Sequence, residues 1–95
     1  MHEFKKLVDL QAAYAGPIQF KLRLTFEHGK RQASVSWRPA DRQDVNTAGP
    51  IIEHLDVEAF VVWERAGYVR TMTAKLQPGV TVFRLTVEGI RAVTG

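Results

Sequence analysis

Ile18, Phe20, Leu22, Leu24 and Phe26 alternate without a break with Gln19, Lys21, Arg23 and Thr25. Side chains of an extended strand point to opposite faces in turn, so this run makes a strand with one apolar face and one polar, basic face. A strand of this kind belongs to an antiparallel sheet that covers a core on one side and meets water on the other. Glu27-His28-Gly29-Lys30 supplies a turn, and Ala33, Val35 and Trp37 alternate with Ser34, Ser36 and Arg38 in a second strand that Pro39 closes. The hairpin thus demands a partner layer on its apolar face only.

The flanking segments provide that layer. Phe4, Leu7, Val8, Gln11 and Ala15 fall on one helical stripe, widened by Leu10 and Tyr14, and predict a helix over 3–15 that Gly16-Pro17 ends. Residues 40–49 are rich in turn and cap formers and read as a loop. From Pro50 to Ala66 a helical stripe of Ile51, Leu55, Ala59, Val62 and Ala66 returns, with Ile52 and Trp63 on its edge. Gly67 suits its C-terminal stop, and Asp56 is placed to cap a second short helix, so the stretch reads as one bent helix or two. Strands follow at 69–76 and 80–85 around Gln77-Pro78-Gly79, and Thr86 caps a last helix through Val93. The predicted order is α-β-β-α-β-β-α, an α+β fold with antiparallel hairpins packed on helices. A length of 95 residues is that of a single domain spanning 1–95.

Charge is unevenly spread. The net charge is +3, yet residues 17–39 carry +4, residues 40–68 carry −4 and residues 69–95 carry +3. The acidic segment places Glu53, Asp56, Glu58 and Glu64 on the predicted central helix. Lys21, Arg23 and Arg38 line the polar hairpin face, Lys30 and Arg31 its tip, and Arg70 and Lys75 the next strand.

Several chemistries are excluded on composition or pattern. There is no cysteine, so thiolate zinc sites, disulfides and cysteine nucleophiles are absent together. No two of the seven glycines stand two residues apart, so no dinucleotide fingerprint exists, and no Gly-x-Ser-x-Gly elbow surrounds Ser34 or Ser36. His54 and Glu58 form a helical i, i+4 pair, short of the three or four convergent ligands a metal needs. No cofactor or metal is expected, and the chain reads as a non-enzyme. No apolar run approaches the roughly 18 residues of a membrane span, and the N-terminus lacks a secretory pattern, so no membrane contact and a cytoplasmic location are expected.

Ala59-Phe60-Val61-Val62-Trp63-Glu64-Arg65-Ala66-Gly67-Tyr68-Val69-Arg70 resembles the helix-to-strand passage of winged-helix domains. Phe83-Arg84-Leu85-Thr86-Val87-Glu88-Gly89-Ile90 resembles the second wing strand and start of the closing helix in bacterial winged-helix regulators. The resemblance covers about a third of the chain and implies a wing at 69–85, with Arg70 and Lys75 near phosphates. The helix that would enter a DNA groove is the acidic one, which phosphates repel. Winged-helix folds also serve as protein-interaction modules, and an acidic helix suits that role. The function expected first is therefore a non-enzymatic protein-interaction module using Glu53, Asp56, Glu58 and Glu64: an inhibitor, adaptor or assembly subunit of phage or mobile-element type. The alternative is a nucleic-acid-binding regulator using Lys21, Arg23, Lys30, Arg31, Arg38, Arg70 and Lys75. A homodimer is compatible with either.

Overall fold

The computed structural model describes residues 2–41, 50–72 and 79–95. The expected loop at 42–49 and the stretch 73–78, with Lys75, lie outside the described residues. Helix α1 (His2–Ala13) buries Phe4, Leu7 and Val8, the i, i+3, i+4 core of the predicted stripe. It stops short of Ala15, which is exposed. The following turn is fastened by Gln11 Nε2, which donates to the Gly16 carbonyl at 3.2 Å.

Strands β1 (Ile18–Glu27) and β2 (Lys30–Pro39) pair antiparallel from Ile18↔Pro39 to Glu27↔Lys30. The turn between them holds His28 at φ 53° and Gly29 at φ 74°. Two consecutive left-handed residues make the two-residue hairpin turn whose twist matches that of the strands. His28 is the single non-glycine with positive φ among the described residues.

The segment expected as a helix from Pro50 divides instead into a strand and a helix. Strand β3 (Ile52–Asp56) pairs with β2 through Val35↔Ile52, Ala33↔Leu55 and Gln32↔Asp56, with a register shift between Ala33 and Val35. Glu53 and His54 together therefore stand opposite Ser34. A regular strand sends residues three apart to opposite faces, but the extra residue of the bulge puts Ile52 and Leu55 both in the core. That three-residue spacing imitates a helix in the sequence. Asp56 then caps helix α2 (Val57–Arg65), its carboxylate accepting from the Glu58 N–H at 2.9 Å. The helix buries Phe60 and Trp63, whereas Val62 and Ala66, members of the predicted stripe, are exposed.

Gly67 at φ 76° turns the chain into β4 (Val69–Thr71), and β5 (Val80–Leu85) and α3 (Val87–Thr94) complete the order. One strand is thus added to the expected sequence of elements. The sheet runs β3-β2-β1-β5-β4, antiparallel throughout.

All three helices cover one face. Ile18, Phe20, Leu22, Ala33, Val35, Ile52, Leu55, Val69 and Phe83 of the sheet join Phe4, Leu7 and Val8 of α1 and Phe60 and Trp63 of α2 in one core, with Ile90 and Val93 of α3 against it. Aromatic rings run through it in contact: Phe20 on Phe83 (5.4 Å between centroids), Phe83 on Phe60 (5.1 Å), Phe60 on Trp63 (6.2 Å) and Trp63 on Phe4 (5.0 Å). The tilted and edge-on geometries suit the ring quadrupoles.

Helix α3 is clamped at its start. The Thr86 hydroxyl donates to the Gly67 carbonyl at 2.6 Å and accepts from the Gly89 N–H at 3.0 Å, while the Thr86 N–H donates to the Tyr68 carbonyl at 3.0 Å. Gly89 is buried, and a Cβ there would collide with the Tyr68 carbonyl oxygen and stand 2.9 Å from the Phe4 ring. Gly89→Ala should therefore destabilise by about 2–3 kcal/mol, reversing the gain of roughly 0.5–1 kcal/mol that alanine brings to an open helix. Urea denaturation checks the sign. Thr86→Val, which keeps the shape and removes both hydroxyl bonds, should lower stability by about 1–2 kcal/mol in the same assay.

Candidate functional site

The face of the sheet opposite the helices is assembled from side chains that strand alternation sends away from the core. β1 contributes Gln19, Lys21, Arg23 and Thr25, and β2 contributes Gln32, Ser34, Ser36 and Arg38. On β5, Phe83 faces the core, so Val80, Val82 and Arg84 face outward; on β4, Arg70 and Met72 flank Thr71 and do the same. Lys21, Arg23, Arg38, Arg70 and Arg84, from four strands, thus share this face, with Lys30 on the same side at the hairpin end.

The hydrogen-bond phase fixes how they sit. The Met72 N–H donates to Val82 at 2.9 Å and the Thr86 N–H to Tyr68 at 3.0 Å. Arg70 and Arg84, Cα partners midway between these, are a directly opposed pair of the hydrogen-bonded kind, with Cα atoms about 5.5 Å apart. Both are exposed. Next to Arg84 on the same face lies Gln19, since Phe20 pairs with Phe83. Gln19 Oε1 accepts from Arg38 Nε and Nη2, both at 3.4 Å, and its Nε2 reaches Met72 Sδ at 3.6 Å. A line of side chains therefore crosses the sheet from Arg38 through Gln19 toward Arg84 and Arg70.

Val82 is only 5% exposed although no helix covers it. The register sets Lys21 on one side of it and Met72 on the other. Lysine stems shield apolar surface in this way while the ammonium stays in water.

No carboxylate neutralises these cations among the described residues. The ion pairs there are Lys5–Asp9 at 3.2 Å and Lys6–Glu3 at 3.6 Å, both within α1. The acidic residues are placed apart: Glu58 and Glu64 lie on α2, on the helical side of the sheet, and Glu53 and Asp56 on the edge strand β3. They do not share one helix, as the sequence led us to expect, and Asp56 is engaged as a cap. His54 also leaves the expected helical pairing with Glu58; it lies on β3 with Nδ1 3.2 Å from Gln32 Oε1. No group of three metal-ligating side chains occurs among the described residues.

Lys30 and Arg31 stand at the far end of the hairpin, and Arg31, opposite Phe26, belongs to the core-side alternation rather than to the basic face. At this tip the apolar stripe outruns the helices, so Phe26 is 73% exposed and Leu24 38%. Arg84 was not singled out in the sequence. Its strand sends valines outward beside it, which hides the polarity of the face, and its partnership with Arg70 exists only in the register.

Compared with family models, curated proteins and solved structures, the chain matches none of them. Among the described residues no helix is long and apolar enough to cross a membrane.

The two ends of the apolar stripe should respond differently to substitution. Phe26→Ser is expected to change stability by no more than about 0.5 kcal/mol, whereas Phe20→Ala should cost about 3–5 kcal/mol. Chemical denaturation of the two variants side by side checks this.

Proposed function

We propose that the chain is a non-enzymatic binding module that holds the backbone of double-stranded nucleic acid on the open face of its sheet. The observation that carries this reading is the gathering of Lys21, Arg23, Arg38, Arg70 and Arg84 on one helix-free face, with no ion-paired carboxylate among the described residues. Phosphate groups are what such a face attracts, and arginine forks grip them with paired N–H groups. Phe20, Phe60, Phe83 and Trp63 are buried in the core and Trp37 packs on Tyr14, so no aromatic is offered on this face for base stacking. That favours contact with the backbone of a duplex over capture of single-stranded bases. The acidic side chains that argue against entry of a helix into a groove stand on α2 and at the β3 edge, away from the row that ends at Arg70. The winged-helix kinship of residues 59–90 is part of the same proposal. It would make β4 and β5 the wing strands, and both of those strands contribute an arginine to the face.

Five phosphate contacts would give a plot of log affinity against log salt a slope of about −4 to −5. Fluorescence anisotropy with a labelled duplex from low to physiological salt measures it. Absence of binding at low salt overturns the reading.

The protein-interaction module expected first from the sequence is the second reading. It is favoured by the exposed Phe26 and Leu24 at the hairpin tip, with Lys30 and Arg31 beside them, and by Glu53, Glu58 and Glu64 on the opposite flank. A partner captured by the wild type, lost with Phe26→Asp and indifferent to nuclease would support it; material that nuclease removes speaks against it. A homodimer pairing along β3 or β4 belongs to this reading, and light scattering that gives a monomer mass at every concentration removes it.

A further inference from the structure

The Arg70–Arg84 pair is an arrangement that a sheet does not adopt for its own stability. Two arginines directly opposite one another on an antiparallel ladder repel, and such like-charged pairs destabilise the strands that carry them. No carboxylate among the described residues forms an ion pair with either one. β4 is also the shortest strand described, three residues at the edge of the sheet, where repulsion has the least pairing to oppose it. An anion bound between the two guanidinium groups would turn this repulsion into attraction.

A third arginine is directed toward the same place. Arg38 lies on β2, two strands from β5, or about 10 Å at ordinary strand spacing. Its guanidinium donates through Nε and Nη2 to Gln19 Oε1 on the intervening strand, and Gln19 is the neighbour of Arg84. The Gln19 amide is in turn tied to Met72 Sδ on β4. Gln19 therefore leans across β5 and draws Arg38 toward the pair. Arg23, by contrast, stands opposite Val80, nearer the hairpin tip, and has no arginine partner across the ladder.

We propose that Arg70 and Arg84 form a two-armed seat for a single phosphate group, with Arg38 steered toward it by Gln19. This rests on the reading of the open face as a backbone-binding surface and names the point on it where one phosphate is held rather than merely attracted. The ligand is a tetrahedral oxyanion with oxygens enough for two guanidinium forks, which a phosphodiester of a duplex supplies. The rest of the face contributes through its net charge.

A seat and a diffuse field differ in two measurable ways. Arg84→Gln and Arg70→Gln should each weaken duplex binding about 10-fold or more at constant salt, since each removes charged hydrogen bonds. Arg23→Gln, which removes the same charge elsewhere on the face, should weaken it about 3-fold. In the free protein Arg84→Glu should raise the thermal midpoint by about 2–4 °C, because an opposed like-charged pair becomes an opposite-charged one, while duplex binding is lost. Titration with inorganic phosphate, followed through the arginine Nε–Hε resonances, should move Arg70 and Arg84 in the wild type and leave Arg23 in place.

Equal weakening by Arg23→Gln and Arg84→Gln overturns the seat and leaves the face as a general polyanion surface. A fall in midpoint for Arg84→Glu overturns the claim that the pair is strained in the free protein. If the duplex fails to bind but inorganic phosphate still moves Arg70 and Arg84 alone, the seat stands and the nucleic-acid reading falls. If neither ligand acts on them, both fall.

Discussion

A sheet with one apolar face must be covered on that face and on no other, and this constraint organises the molecule. The covering is keyed by aromatic rings in sequence: Phe20 and Phe83 on neighbouring strands, Phe60 and Trp63 on α2, and Phe4 on α1. Only the Phe60–Trp63 contact is local, an i, i+3 pair within α2; the Phe20–Phe83, Phe83–Phe60 and Trp63–Phe4 contacts form only when the elements are assembled. Phe4 also touches the tilted Tyr68 ring and crowds Gly89, which brings α3 into the same packing. The lack of a Cβ at Gly89 is the condition for that close approach. The helical layer is therefore set by a few bulky contacts, and the opposite face is left free of packing duties.

That freedom explains where charge sits. A residue on the helical side must be apolar or very near the rim, whereas on the open face any side chain that tolerates water will serve. Cations collect there, and Val82, an apolar residue sent outward, is shielded between Lys21 and Met72. The +4, −4 and +3 segments of the sequence thus correspond to places: the hairpin and the β4–β5 pair give their basic residues largely to one face, and the acidic segment becomes an edge strand and a helix.

Much of this architecture was legible in the sequence because period-two alternation is strong in β1 and β2 and because the caps are chemically distinctive. Thr86 and Gly67 do what their types predict. Two things were not legible, for physical reasons. A bulge changes the period of a strand from two to three over one step, and the spacing of Ile52 and Leu55 then copies that of a helix. The phase of α2 restarts at its cap, so a stripe extrapolated from Ile51 ends on the exposed Val62 and Ala66. The candidate site was half legible. Lys21, Arg23 and Arg38 follow from alternation within one hairpin, but Arg70 and Arg84 lie fourteen residues apart and become neighbours only when β4 and β5 are laid in register.

The register also bears on why such a pair would persist. Polar substitutions at exposed strand positions away from the core are nearly free, so relief of repulsion by changing either arginine, Arg70 on the edge strand or Arg84 beside it, requires no repacking. Stability alone therefore offers no reason to keep two opposed cations where glutamine, threonine or a single glutamate would hold the ladder better. Binding does offer one, because a site complementary to an anion is strained when empty and relaxed when filled. The same logic separates the open face from the hairpin tip. At the tip, Phe26 stands beyond the helices, where its exposure costs little stability and leaves it available to a partner. On the open face the unfavourable feature is electrostatic and local, and a ligand of opposite charge removes it.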